Sequence, residues 1–269
     1  MRLALFGDVG GHRLLLADAL TDLEADVDAG RLPDDLTVVQ LGDLIDRGPD
    51  SAGCVALADR FMRASPGRWI QLLGNHEGNR VGGEPFWDEE LDSAACQTLD
   101  SWWHDERASL AVAIDSVEMG EVVVTHGGVV RALWELLRRP DAPSLATTIN
   151  GWVGARADLA FAPGQQLGSG AVPGPVWPDA GAELYPSWVG QSMPFSQVHG
   201  HSSIYEWPEG RPRPHLAKAV RKLARADPTT RREIVDIDGR TLVGIDPTLG
   251  FSGADKIHPL ILHGDVLVP

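Results

Sequence analysis

A mixed α/β sandwich is the fold that this 269-residue sequence predicts. Two observations predict it. Short apolar segments alternate with amphipathic helical stretches over the first third of the chain, as in a βαβαβ unit with strands covered on both faces. Towards the end, two β-rich segments flank Asp238-Gly239, a dipeptide suited to a tight hairpin, so antiparallel strands close the fold.

Residues 3–6 form the first apolar run, with Asp8 just past its end. The run is too short for a signal segment or a membrane span and reads as a buried strand. Leu16, Leu20, Leu23 and Val27 then recur at helical spacing opposite Asp18, Asp22, Glu24 and Asp26, which predicts a helix over residues 13–27. The second strand, 36–41, leads into Gly42, Asp43 and Asp46; a turn at Gly48-Pro49 precedes a helix over about 52–63. The third strand, 69–73, runs into Gly74-Asn75-His76-Glu77. Later strands are expected at 122–125, ending on His126, and at 195–198, ending near His199 and His201. Residues 234–237 and 241–245 make the closing hairpin. Two excursions, at about 78–118 and 128–194, and a smaller basic helical one around 216–226 read as site-covering insertions on a single domain, 1–269. The excursions carry Trp87, Trp102, Trp103, Trp134, Trp152, Trp177 and Trp188, for which core packing is the first reading and a substrate-facing wall the second.

Composition narrows the function. Against 38 acidic residues stand 23 basic ones, a formal net charge of −15 that repels a nucleic-acid backbone, so no nucleic-acid partner is expected. Cys54 and Cys96 form no CxxC pair, which points away from a disulfide framework or thiolate metal site and towards a reducing, cytoplasmic location with no membrane partner. Oligomeric state is not legible.

Chemistry concentrates at the strand ends. Asp8, Asp43, Asn75, His126 and His201 are all possible metal ligands, and each falls where an apolar run stops. In an open α/β sheet such ends converge on one rim, so these residues can meet around an ion although they are far apart in sequence. One such residue alone would be read as a cap or a loop hydrogen bond. Five at successive strand ends favour a metal site.

Gly7-Asp8, Gly42-Asp43-Leu44-Ile45-Asp46-Arg47-Gly48, Gly74-Asn75-His76-Glu77, His126-Gly127-Gly128 and Gly200-His201 resemble, in order, the blocks of the calcineurin-like metallophosphoesterases. The GDxxDRG and GNHE blocks are the specific ones. They are similar in particular to the branch holding Ser/Thr protein phosphatases, bacteriophage lambda phosphatase and symmetrical diadenosine tetraphosphate hydrolases. Val176-Trp177-Pro178-Asp179 and residues 245–250 match that branch more loosely. The resemblance implies a four-layer α-β-β-α sandwich of two mixed sheets flanked by helices, with the metal site at strand ends. It also implies two divalent ions, Mn²⁺ first, with Fe, Zn or Mg as alternatives. Asp43 would bridge the ions, and Asn75, His126 and His201 would complete the second ion's shell. Such ions make water nucleophilic near neutral pH and neutralise phosphoryl oxygens. His76 would protonate the leaving oxygen, held in its tautomer by Asp46, and Arg47 would offer a planar fork to phosphate.

One block departs from the family. Its first block is Asp-x-His, but here the His position is Gly10, so Asp8 and Asp43 alone are assured at the first ion. His12 is the candidate replacement, with water as the competing answer and His199 as a further candidate. Ser203 stands where related branches carry another His. The expected function is metal-dependent hydrolysis of a phosphate ester or anhydride, with phosphomonoesters (a phosphoprotein or a small metabolite) ranked first. Dinucleoside polyphosphate hydrolysis and a catalytically silent phosphate- or protein-binding module are the alternatives, along with an ion kept for stability alone.

Overall fold

A computed structural model describes residues 1–249 and 254–269, so Gly250, the last residue of the closing stretch matched above, lies outside the described residues. Strands β1 (Arg2–Phe6), β2 (Leu36–Gln40) and β3 (Trp69–Gln71) are parallel, joined through helices α1 (Arg13–Asp22) and α2 (Ser51–Ala64). After β3 come α3 (Asn75–Val81), α4 (Ser93–His104) and the hairpin β4 (Ala111–Ser116) and β5 (Gly120–Thr125). The second excursion folds into α5 (Arg131–Leu136), α6 (Ala142–Asn150), α7 (Ala157–Ala160), a π-helical turn at Ala180–Leu184 and α8 (Tyr185–Trp188). Strand β6 (Ser196–His199) lies parallel to β5. A small ribbon, β7 (Tyr205–Glu206) with β8 (Arg211–Pro212), precedes α9 (Lys218–Leu223). The chain closes with β9 (Ala224–Asp227), β10 (Arg232–Ile237), β11 (Arg240–Gly244) and β12 (Leu260–Val268).

Hydrogen bonding links the strands in the order β3-β2-β1-β12-β4-β5-β6-β11-β10-β9. Strand β12 belongs to both halves: residues 260–263 pair with β1, and from Gly264 onward it pairs with β4. The halves face each other. Leu3 and Leu5 of β1, Val39 of β2 and Ile70 of β3 share one buried cluster with Val112 and Ile114 of β4, Val122 and Val124 of β5, Val198 of β6 and Val243 of β11. The opposite faces, such as Phe6, Val38 and Ala113, join a second cluster with α1, α2, α4 and α6. Two facing sheet halves covered by helices on both outer sides are the layers expected of an α-β-β-α sandwich.

The structure corrects three elements. Helix α1 stops at Asp22 instead of running to 27, because Glu24 turns into the left-handed region (φ 67°) and Asp26 bridges to Arg31. Leu23 and Val27 still pack on the core, which explains the helical spacing. The excursion at 78–118 contains β4, a central strand, and so is only partly an insertion. The basic stretch around 216–226 begins as α9 but ends as the edge strand β9. Trp102, Trp103, Trp152, Trp177 and Trp188 are buried in the core, Trp177 also meeting His201 at the strand-end rim, whereas the half-buried Trp87 stands against His76.

Candidate metal centre

Residues just beyond the C-terminal ends of β1, β2, β3, β5, β6 and β11 converge on one rim. Asp43 follows β2 and is buried. Its Oδ1 accepts the backbone N–H of His76 at 3.0 Å and lies 3.4 Å from His126 Nε2, while its Oδ2 is buried without a hydrogen-bond partner. Glu77 builds the turn that presents it. The Glu77 carboxylate, itself fully buried, accepts backbone N–H groups from Asp43 (2.7 Å), Leu44 (2.8 Å) and Gly74 (2.8 Å). Burial, then the charge of Asp43, raises the Glu77 pKa, and these donors oppose the rise. Gly74 must lack a side chain, since a Cβ there would lie 2.1 Å from Asp43 Oδ1. Asp43, Asp46, Arg47 and His201 all hold left-handed backbone (φ 52°, 69°, 66° and 63°), a cost that surrounding structure must enforce and that gathers at functional sites.

Asn75, His126 and His201 aim donor atoms at one another. Asn75 Oδ1 is 3.0 Å from His126 Nε2 and 2.9 Å from His201 Nδ1. The other ring nitrogen of His126, Nδ1, lies 2.8 Å from the Leu41 carbonyl. Each nitrogen of the His126 ring thus faces an oxygen acceptor. Burial lowers its pKa, but Asp43 and Asp8 overcome this and raise it to about 9. A divalent cation would replace the inner proton, with Leu41 fixing the ring's orientation as outer partners of metal-binding His do. Asp43, His126 and His201 place possible ligand atoms within 4.8 Å of one another, so these residues, with Asn75 Oδ1, fit a divalent ion. The mixed imidazole and oxygen set suits a transition metal.

Asp8 stands beside this cluster. Its Oδ1 accepts the His201 backbone N–H at 2.8 Å, and its Oδ2 is buried without a partner. Burial, then the charge of Asp246, pushes its pKa well up. His12, like Asp8, is not among the three residues whose ligand atoms lie within 4.8 Å of one another; its ring sits against Gly48, and its Nε2 is buried without a partner. His199 is occupied elsewhere: Nε2 meets the Tyr185 hydroxyl at 2.7 Å and Nδ1 meets the Gly200 carbonyl at 2.9 Å. The Tyr185 hydroxyl donates to Glu233 Oε1 (2.8 Å), and Ser203 Oγ donates to Glu233 Oε2 (2.6 Å), so both positions serve a buried polar network under the His201 turn.

His76 is wholly buried at the head of α3. Its Nδ1 meets Asp46 Oδ2 at 2.6 Å, and Arg80 holds the other oxygen of Asp46 at 3.2 Å. Its Nε2 has no hydrogen-bond partner and lies 3.9 Å from Asp43 Oδ2. Phe86 and Trp87 stand edge-on to the imidazole, and Trp177 packs edge-on against both Phe86 and His201. Arg47 is exposed, its guanidinium 5.7 Å from the Trp87 ring, and its backbone N–H donates to Glu89 Oε2. Arg131 and Arg156 spend their guanidiniums on Glu135 and Asp158 at the surface.

The family model of the calcineurin-like phosphoesterases matches residues 1–167. The chain belongs to that family. The matched part of the phosphoesterase includes Asp8, Asp43, Asn75, His76 and His126, so metal-dependent hydrolysis of phosphoesters is its chemistry. Among solved structures, the cold-active protein-tyrosine phosphatase of a psychrophilic Shewanella shares the fold with a TM-score of 0.56 at 15% identity, covering 97% of this chain and 74% of that one. A protein serine/threonine phosphatase from Saccharomyces cerevisiae, with similarity to human phosphatase PP5, gives a TM-score of 0.49 at 16% identity over 91% of this chain and 67% of that one. That second likeness is too loose to bear on function. Roles for Glu77, Arg80 and Gln166, whose side chain reaches His201 Nε2 at 3.2 Å, were not read from the sequence. Glu77 was visible in the GNHE block, but nothing in a sequence shows that one carboxylate gathers three backbone amides.

Proposed function

We propose that this phosphoesterase is a phosphomonoesterase acting on a phosphoprotein or a small phosphorylated metabolite, with the whole chain working as one domain. The observation that carries the reading is the buried His76–Asp46 pair at 2.6 Å, with His76 Nε2 aimed into the ligand cluster 3.9 Å from Asp43. A catalytically silent binding module has no use for such a pair. Asp43, Asn75, His126 and His201 would hold one divalent ion, and Asp8 and Asp43 the other, with Mn²⁺ the first choice. When bound, the ions supply positive charge that makes water nucleophilic near neutral pH and neutralises the phosphoryl oxygens.

The protein's own groups do the rest. Asp46 accepts the Nδ1 proton of His76, which fixes the ring's orientation and tautomer, so that Nε2 is the nitrogen that faces the leaving oxygen as proton donor. Arg80 keeps Asp46 from turning away. Arg47 offers a planar fork at the exposed lip, where a phosphate enters. Phe86 and Trp87 exclude water around His76 and offer ring faces and edges to the alcohol part of the substrate, with the buried Trp177 backing Phe86. The Shewanella phosphatase, named for phosphotyrosine, is consistent with a monoester whose alcohol is aromatic. No helix among the described residues is long and apolar enough to cross a membrane. Our cytoplasmic placement rests instead on Cys54 and Cys96, which are both free.

The test is a hydrolysis screen with Mn²⁺ over aryl and alkyl phosphomonoesters, phosphopeptides, phosphodiesters and diadenosine polyphosphates. Turnover of monoesters above the others is expected. Preference for the dinucleotides would replace this reading with the anhydride-cleaving one, and absence of turnover on all of them would favour the silent module.

A further inference from the structure

Gly10 leaves the first ion with fewer ligands than the second, and the structure points to a residue from the far end of the chain. We propose that Asp246 is the third carboxylate of the first ion's site, so that this ion is held through oxygen alone and the site selects Mn²⁺ or Mg²⁺. The inference rests on the two-ion reading above.

Position is the first argument. Asp246 comes two residues after β11, as Asp8 comes two after β1 and His201 two after β6, and β11 runs parallel to β6. The ends of β1 and β11 abut: a Cβ on Gly7 would lie 2.2 Å from the Ile245 carbonyl oxygen and 3.4 Å from the Asp246 nitrogen. The chains that carry Asp8 and Asp246 therefore leave the rim side by side. Both residues are only 4% exposed.

The second argument is the unmet demand for a cation. Asp8 Oδ2 and Asp43 Oδ2 are buried polar atoms with no hydrogen-bond partner, and Asp246, buried like them, leaves the rim beside Asp8. Three buried carboxylates on one rim repel one another, and a cation placed among them would offset that repulsion. Arg47 and Arg231 also act on Asp246, and its Oδ1 accepts the Thr248 N–H at 2.7 Å. That bond fixes the carboxylate's orientation as outer contacts do for metal ligands. Oxygen-only sites suit Mg²⁺ and Mn²⁺ over Zn²⁺, which favours imidazole and thiolate.

Asp246→Asn keeps the Thr248 acceptor while removing the charge. Mn²⁺ is titrated into the chelated full-length protein and followed by calorimetry and electron paramagnetic resonance, with thermal unfolding before and after metal. Wild type is expected to bind two Mn²⁺ as a spin-coupled pair. Asp246→Asn should keep one Mn²⁺, weaken the other by about tenfold or more and lose the coupled signal. Its metal-free Tm should equal or exceed that of wild type, because like charge has been removed, while its Mn²⁺-induced Tm rise should be smaller. Two ions bound by Asp246→Asn with wild-type affinity would overturn the inference and leave the two-ion reading standing. A metal-free variant that melts far below wild type would also overturn it, by showing that the carboxylate serves only the turn at Thr248. A single Mn²⁺ in wild type would overturn the two-ion reading itself and this inference with it.

Discussion

Asp43 and His76 approach within 3.9 Å, yet removing them should fail in different ways. Asp43 touches both groups of proposed ligands, so Asp43→Asn should lower metal content and activity together, as read by elemental analysis and turnover of an aryl phosphate. His76 binds no ion in this scheme. His76→Asn should keep the metal and lose kcat by about 100-fold, the usual size of general acid catalysis. Loss of metal from His76→Asn would show that the roles are wrongly divided. The altered first block makes a second residue-scale prediction. The ring of His12 packs against Gly48, so His12→Ala is expected to leave metal content and rate near wild type, and loss of an ion would make His12 a ligand. Restoring the family's histidine at position 10 should not help either, because Gly10 holds φ +50°, where a side chain carries roughly 1–2 kcal/mol of strain. Gly10→His is thus expected to lower Tm without adding an ion. Sequence placed His12 near Asp8 by counting along the chain. It could not show that the turn at Gly10 and Gly11, both at positive φ, leaves His12 against Gly48.

Elements were legible where their pattern was uninterrupted. Strands β1, β2, β3, β5, β6 and the β10–β11 hairpin lie close to the apolar runs that predicted them, and Asp8, Asp43, Asn75, His126 and His201, which follow the first five, are linked by contacts at the rim. Two central strands were hidden. β4 follows a Trp-rich helix and reads as part of an insertion, and the apolar pattern of β12 is broken by His263-Gly264-Asp265, where the strand passes from one sheet half to the other. Asp246 was quoted within a loose match at the chain's end, but its nearness to Asp8 depends on β11 lying beside β6, a pairing no local pattern encodes. What secures β4 is also invisible in sequence. Asn150, the last residue of α6, accepts the backbone N–H groups of Leu110 and Ala111 at 2.9 Å each and donates to the carbonyls of Ala111 and Pro269. Asn150→Ala strands two amides at the start of a central strand, at a cost of about 2–4 kcal/mol. Chemical unfolding should register that loss while metal content of the folded fraction stays at the wild-type level.

At the scale of the whole molecule, the site is a knot tied from both sheet halves, so ion binding and global stability are linked. Asp8, Asp43 and Asn75 come from the half containing β1–β3, and His126, His201 and Asp246 from the half containing β5, β6 and β11. An ion bound only by the folded chain raises stability with its concentration. Chelation should therefore abolish turnover and lower Tm together, and returning Mn²⁺ should restore both; turnover that survives rigorous chelation would sink the metal-dependent mechanism. Beneath the rim, Glu233 gives the metal-free protein a pH dependence of its own. Burial pushes its carboxyl from 4.5 up to about 7, although Ser203, Tyr185 and the Ile204 N–H donate to it and pull the other way. Its folded pKa thus exceeds its unfolded one, so the folded state binds the proton more tightly. The resulting stability is complete below about pH 4.5 and is lost as pH rises through about 7. At about 1.4 kcal/mol per pKa unit the swing is about 3 kcal/mol at most. Glu233→Gln cannot titrate. Its side chain also loses one acceptor, which lowers stability at every pH but adds no slope. In chelator, where the site carboxylates titrate alike in both proteins, wild-type Tm should fall relative to Glu233→Gln between pH 4.5 and 7. A constant difference across that window would mean that the Tyr185, Ser203 and Ile204 donors hold Glu233 ionised throughout.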